Sequence, residues 1–352
     1  MRVNHDYFRA REGCPVCGGT DTETLFAGAM DESPVRDLIA SHFSRQGTID
    51  WEMLAGTDFV LALCRACQTI YQVAEPNDAV LAAIYTRMID AAFLDPFEQA
   101  QLTVGRFNEI AGELAILFAM TGKPAGNVTF LDYGAGYGSW ARVARAMGAT
   151  VYVTEIGEEK TAAAAALGLK VINDADIDTM RFDIVHTEQV FEHLTHPRET
   201  FARLAAATAC VFKIAVPPQR NAANVLRRKG LATESPFGRM LAGGRRHRDD
   251  DVYMAVQPLE HLNLFSARAI EMLAAENSMR IVGRTRPRAL QIDIGSPREL
   301  ARSTARLAKS VAGRIARRGS GYALLRPLHP AEQGIRETPS PKRPAPEGPS
   351  PS

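Results

Sequence analysis

Phe130-Leu131-Asp132-Tyr133-Gly134-Ala135-Gly136-Tyr137-Gly138 is the stretch on which the reading of this chain turns. An apolar run over 128–131 reads as a buried strand. It meets an acid, then three glycines at alternate positions, then a helical pattern over 137–147 that Gly148 closes. Glycine lets the chain turn tightly and lets a ligand approach bare backbone, while the helix start offers unpaired N–H groups. The spacing is G-x-G-x-G, distinct from the G-x-G-x-x-G of dinucleotide folds. A carboxylate at Asp132 repels a pyrophosphate and suits an ammonium group. The plain alternative is a glycine turn that only packs helix on strand.

Outward from this motif, strands and helices alternate. Runs at 151–154, 170–172, 182–186 and 210–216 read as strands, with helices at 158–167 and 197–207. That rhythm predicts an α/β fold, a doubly wound Rossmann-like sheet that is mostly parallel and covered on both faces. Glu155 closes the second strand, where an acid accepts hydrogen bonds from ribose hydroxyls; on its own it also reads as a solvated loop acid. Asp174 or Asp176, after the third strand, is placed to meet an adenine amino group, or is a plain loop acid. His193 follows the fourth strand and His261 follows the insertion 219–258. Each is an acid–base candidate, and each also reads as a histidine that caps or packs. Glu192 reads as structural, anchoring a backbone turn.

Residues 219–258 break the rhythm with RRK, GGRRHR and DDD. The stretch is expected to be a mobile part of the acceptor site, with Arg245, Arg246 and Arg248 facing an acceptor phosphate; the alternative is a tolerated surface insertion. Further on come a helix at 266–276, strands at 280–284, 289–294 and 322–326, and a basic amphipathic helix at 299–318. The tail 327–352 is too polar and Pro-rich to order itself. The chain thus divides into 1–75, a helical connector 76–124, an α/β domain 125–326 and the tail.

Cys14, Cys17, Cys64 and Cys67 form two C-x-x-C pairs. Two such pairs supply the four thiolates of a closed, structural zinc site. Redox chemistry and uncoordinated thiols are the alternatives. Cys210, in an apolar strand, reads as a buried core thiol.

LDYGAGYG, Glu155 and FDIVHTEQVFEHLTHP resemble the class I S-adenosylmethionine-dependent methyltransferases, above all their small-molecule branch. EHLNLFS, residues 260–266, resembles that branch too, and the likeness covers roughly 125–285. It implies that Gly134, Ala135, Gly136 and Gly138 hold the amino-acid end of S-adenosylmethionine and Asp132 its ammonium. Glu155 would hold the ribose, and Gln189 would lie near the sulfonium. It also implies one antiparallel strand near the C-terminal end of the sheet. The cysteine pairs are similar to a module that precedes the methyltransferase domain in some sugar C-methyltransferases. The expected activity is methyl transfer to a small molecule, such as a sugar nucleotide or another glycan or natural-product intermediate. The rival reading is an RNA-directed methyltransferase, or a non-catalytic zinc- and RNA-binding protein.

Composition agrees with the first. Of 352 residues, 46% are hydrophobic and 23% charged, and the net charge of +1 gives no global field for nucleic acid or anionic lipid. The eight basic residues of 298–326 would favour a phosphate-bearing acceptor, RNA or a membrane surface; the bland reading is a solvated helix in an arginine-rich chain. In place of the N-P-P-Y segment of nucleic-acid amino-methylating enzymes stands Thr187-Glu188-Gln189-Val190. No apolar run approaches a membrane span and no signal peptide is legible, so a cytoplasmic location is expected and no nucleic-acid partner.

Overall fold

The computed structural model describes residues 1–43, 46–89, 100, 102–156, 158–219, 221–286, 295–315 and 321–329. The first 76 residues supply strands β1 (Phe8–Ala10), β2 (Thr22–Ala29), β3 (Asp58–Cys64), β4 (Ile70–Gln72) and β5 (Ala74–Pro76). The next five are β6 (Thr129–Tyr133), β7 (Thr150–Thr154), β8 (Lys170–Val171), β9 (Phe182–Glu188) and β10 (Thr208–Ala215). The last three are β11 (Asn263–Leu264), β12 (Met279–Gly283) and β13 (Tyr322–Pro327).

Seven of these form one sheet in the order β12-β13-β10-β9-β6-β7-β8. Strands β8, β7, β6, β9 and β10 run parallel, and β13 inserts antiparallel between β10 and β12. The α/β sheet predicted from the alternating pattern is therefore present, as is the antiparallel strand near its end. Strand order reverses between β6 and β9, the crevice where open α/β sheets bind ligands. Helices cover both faces. One face buries Ile110, Leu114 and Leu117 from the helix Val104–Thr121 against Trp140, Ala141 and Ala144. That helix starts at Thr103, whose hydroxyl accepts from Arg106 N at 3.2 Å, and stops at Gly122 in a left-handed conformation. The opposite face packs Phe191, Phe201, Phe212 and Phe265 together.

The cysteine-bearing part has a sheet of its own, and its order β11-β4-β3-β2 brings a strand from 190 residues further along the chain to its edge. The insertion belongs to the same unit. Residues 219–258 form helices Ala222–Lys229, Pro236–Leu241 and Asp250–Ala255, contrary to the expected mobile loop. Val225, Leu226, Leu231, Val252 and Val256 share one core with Leu38, Ile39, Phe59 and Leu61. The three helices are short and separated by glycine and arginine runs, so their apolar spacing is hidden in the sequence. Of the three arginines expected to face a phosphate, Arg246 pairs with Asp251, and Arg245 and Arg248 are exposed. Cys210 is half-buried near the start of β10, 3.7 Å from Asp183, and not a core thiol. The basic helix spans Pro297–Ile315. The expected strand at 289–294 and the tail beyond 329 lie outside the described residues. Among the described residues no helix is long and apolar enough to cross a membrane.

Helix Pro236–Leu241 meets helix Val35–Phe43 through bare backbone: a Cβ on Gly238 would sit 1.9 Å from the carbonyl oxygen of Ser41. Gly238→Ala should therefore force the two helices apart and destabilise the fold by about 1–3 kcal/mol, read by urea denaturation.

Candidate active site

Gly134, Gly136 and Gly138 all adopt left-handed backbone, with φ of 72°, 55° and 72°. A side chain on Gly134 would strike Val190 at 2.7 Å, so that glycine allows the loop to close on the turn after β9. A Cβ on Gly136 would meet nothing within 4 Å, so that glycine bares backbone to open space. Its N–H donates to Glu155 Oε2 at 2.6 Å, and Glu155 Oε1 accepts from Ile156 N at 3.0 Å. The N–H groups of Gly134 and Ala135 bond the carbonyl of Thr154. The loop and the acid that closes β7 thus form one rim at the C-terminal ends of the strands.

Asp132 does something other than face a ligand. Its carboxylate is buried in the sheet, where Oδ1 accepts from His186 Nδ1 at 2.7 Å and Oδ2 from Ala141 N at 3.2 Å. On the far side of the His186 ring, Nε2 lies 2.9 Å from Lys213 Nζ. Lys213 is fully buried, stacks over Trp140 at 4.4 Å and pairs with Glu188, which also holds Arg286. Burial raises Asp132 to about 7 and, with Lys213, pushes His186 well below its usual value. The ring is therefore neutral, donating to Asp132 and accepting from the ammonium. Asp174 pairs with Arg203, and Asp176 closes a capping box on Asn173.

The turn after β9 carries the other candidates. Gln189 is exposed and left-handed, with φ of 56°. Phe191–His193 is a single tight turn in which Glu192 is 1% exposed and neither of its carboxyl oxygens has a hydrogen-bond partner. His193 lies beside it, with Nε2 3.9 Å from Glu192 Oε1, and its ring meets that of His261 edge-on at 4.9 Å. The two histidines, 68 positions apart, belong with Glu192 to one cluster. Burial raises Glu192 to about 8, lowers His193, and takes His261 down to about 3. Glu260 backs this group: its carbonyl takes His193 Nδ1 at 2.9 Å and its carboxylate takes His42 Nε2 at 2.6 Å.

A family model described as "Methyltransferase domain" matches residues 105–282, half of the chain. The chain belongs to this family of methyltransferases, and its enzyme activity is S-adenosylmethionine-dependent methyl transfer. Solved structures align at low identity. The plantazolicin methyltransferase BpumL in complex with SAH is 14% identical over 71% of this chain and 95% of its own, with a TM-score of 0.44. An S-adenosylmethionine-dependent methyltransferase from Mesorhizobium loti is 17% identical over 61% and 97%, with a TM-score of 0.37. PKMT2 from Rickettsia typhi in complex with AdoHcy is 13% identical over 64% and 54%, with a TM-score of 0.40. A search of the curated proteins returned no match.

The methyltransferase carries its four cysteines as two matching turns. Gly18 N bonds Cys14 O and Gln68 N bonds Cys64 O, both at 2.8 Å, and Gly18 and Gln68 share the left-handed conformation. Cys14 and Cys67 sulfurs stand 3.5 Å apart, as do those of Cys17 and Cys64, and all four lie within 4.8 Å. Hydrogen bonds from Cys14 and Thr69 pull the Cys67 thiol down to about 5, while Cys14 is driven up. Four sulfurs around one zinc at about 2.3 Å stand about 3.8 Å apart, so the cluster fits a tetrahedral ion.

Sequence reading missed His186, Lys213 and Asn263. The signals were a histidine and a lysine inside apolar strands, where charge is rarely placed without a partner. The Glu188 pair gives a measurable consequence. Burial opposes its charge, yet Lys213 and Arg286 bring the carboxyl down to about 2, below the free value near 4.3. Its contribution to stability is therefore full above about pH 4.3 and fades as pH falls toward about 2. Glu188→Gln, which strands the Lys213 ammonium, should cost about 3–5 kcal/mol at neutral pH. The gap from the natural protein should narrow at about pH 3, both readings coming from urea denaturation.

Proposed function

We propose that the enzyme methylates a small-molecule acceptor, a sugar nucleotide or another intermediate of glycan or natural-product assembly. The observation that carries this is the burial of the cluster Glu192, His193 and His261 on the turn that follows β9, next to the glycine loop. The cluster is held by residues 42, 191–193 and 260–261, three distant segments, and Glu192 and His261 are almost wholly shielded from solvent. Groups so shielded suit a small substrate rather than a folded macromolecule.

Gly134, Ala135, Gly136 and Gly138 would hold the amino-acid end of S-adenosylmethionine, Glu155 its ribose, and Gln189 would stand near the reacting centre. The open space at Gly136 fits that assignment, as does the pairing of its N–H with Glu155. When bound, the cofactor supplies an electrophilic methyl group. The protein's part is then alignment and exclusion of water, with a proton removed from the acceptor on the side of His193 and His261. Asp174 would reach the adenine only by giving up Arg203. Zinc held by Cys14, Cys17, Cys64 and Cys67 would be structural, since four thiolates leave no open position.

Two measurements test these assignments. Gly136→Val should reduce S-adenosylmethionine affinity at least tenfold in calorimetry, with the far-ultraviolet spectrum unchanged; undiminished binding would overturn the loop assignment. Metal analysis should find about one zinc per chain, and Cys64→Ser should release it and lower the melting temperature, because ligation contributes to folding directly.

A further inference from the structure

Among the described residues, Glu192 has a buried side chain in which both carboxyl oxygens lack a hydrogen-bond partner, at 1% exposure. Such a group has given up water without a full replacement. Facing it are two imidazoles whose orientation is fixed from behind. His193 Nδ1 lies 2.9 Å from the carbonyl of Glu260, and His261 Nδ1 lies 3.2 Å from the carbonyl of Ala255. A carbonyl only accepts, so each Nδ1 carries the proton and each Nε2 keeps its lone pair. This backing of an imidazole by a carbonyl is the outer support that metal-binding histidines use. Glu260 extends it through His42, whose own Nδ1 lies 2.9 Å from Ser235 Oγ. One donor atom from each of Glu192, His193 and His261 lies within 4.8 Å of the others. Three donor atoms gathered this way, two of them imidazole nitrogens with free lone pairs, form a ready-made set of ligands for a cation that displaces the proton of Glu192.

We propose that Glu192, His193 and His261 hold one divalent first-row transition cation, with an oxygen of the acceptor or a water completing its shell. Two imidazoles and one carboxylate are ligands of that class of ion. Donors about 2.0–2.2 Å from a shared ion stand roughly 3.0–3.5 Å apart, so a trio that lies within 4.8 Å closes by at most about 2 Å to grip it. The ion would sit beside Gln189 and the glycine loop and fix an acceptor oxygen there; the two histidines then act as ligands rather than as bases. This deepens the reading of the Glu192, His193 and His261 cluster as the acceptor side and rests on it, but ion binding is read without any methyl transfer.

The test uses the full chain with its thiol site loaded with zinc, titrated with Mn²⁺, which thiolates bind poorly. Electron paramagnetic resonance of free Mn²⁺ should show about one ion taken up per chain. Glu192→Gln should weaken uptake at least tenfold while S-adenosylmethionine affinity stays unchanged, which shows that the variant is folded. In the unsubstituted protein, Mn²⁺ should broaden the ring-proton resonances of His193 and His261. No uptake at millimolar Mn²⁺, equal uptake by the Gln variant, or unbroadened histidine signals would overturn the site. Mn²⁺ uptake by a protein that methylates no small molecule would leave the site standing and overturn the acceptor reading.

Discussion

The Asn263 side chain is the joint between the two halves of the molecule. It is fully buried, and its amide donates to the carbonyls of Phe191 and Leu194 while its oxygen accepts from Arg11 Nη1 at 3.0 Å. Its backbone meanwhile pairs with Tyr71 at the edge of the cysteine-bearing sheet. A tight turn such as Phe191–His193 leaves carbonyls without helical partners, and buried carbonyls must be bonded. One amide satisfies two of them and anchors the turn to the N-terminal unit. Arg11 adds the carbonyl of Thr195, and Ser266 donates to the carbonyl of Cys67 at 2.5 Å. The position of the Phe191–His193 turn therefore depends on the fold of the cysteine-bearing unit.

Beneath the glycine loop, charge is held in a line. Asp132, His186, Lys213, Glu188 and Arg286 run from the first strand of the switch point to the segment after β12. Each is satisfied by the next, which is how buried ions avoid the cost of lost hydration. The line crosses β6, β9 and β10 and lies against Trp140, the second residue of the helix that opens after the glycines. It fixes the register of three strands and the start of that helix at the level where the loop leaves the sheet.

The insertion 219–258 gains its order in the same way, by burial against another segment. Its helices are too short to be stable alone. They exist because Val225, Leu226, Val252 and Val256 cover Leu38, Ile39 and Phe59. The insertion is thus a set of packed helices that share their core with the N-terminal sheet.

The amino-acid sequence by itself determined the parallel sheet, the glycine loop, Glu155 at its rim and the pairing of four cysteines, because each is written in local spacing: alternating strand and helix, glycine at alternate positions, two C-x-x-C turns. His193 and His261 were legible as candidates, since each sits beside a recognisable segment. Only the tertiary structure decided that they cluster with Glu192, that Asp132 is spent on His186, and that residues 221–264 complete the N-terminal unit. These facts depend on contacts between residues far apart in the chain. Burial, moreover, shifts the titration of Glu192 upward and of Lys213 and His186 downward, and burial has no signature in local spacing.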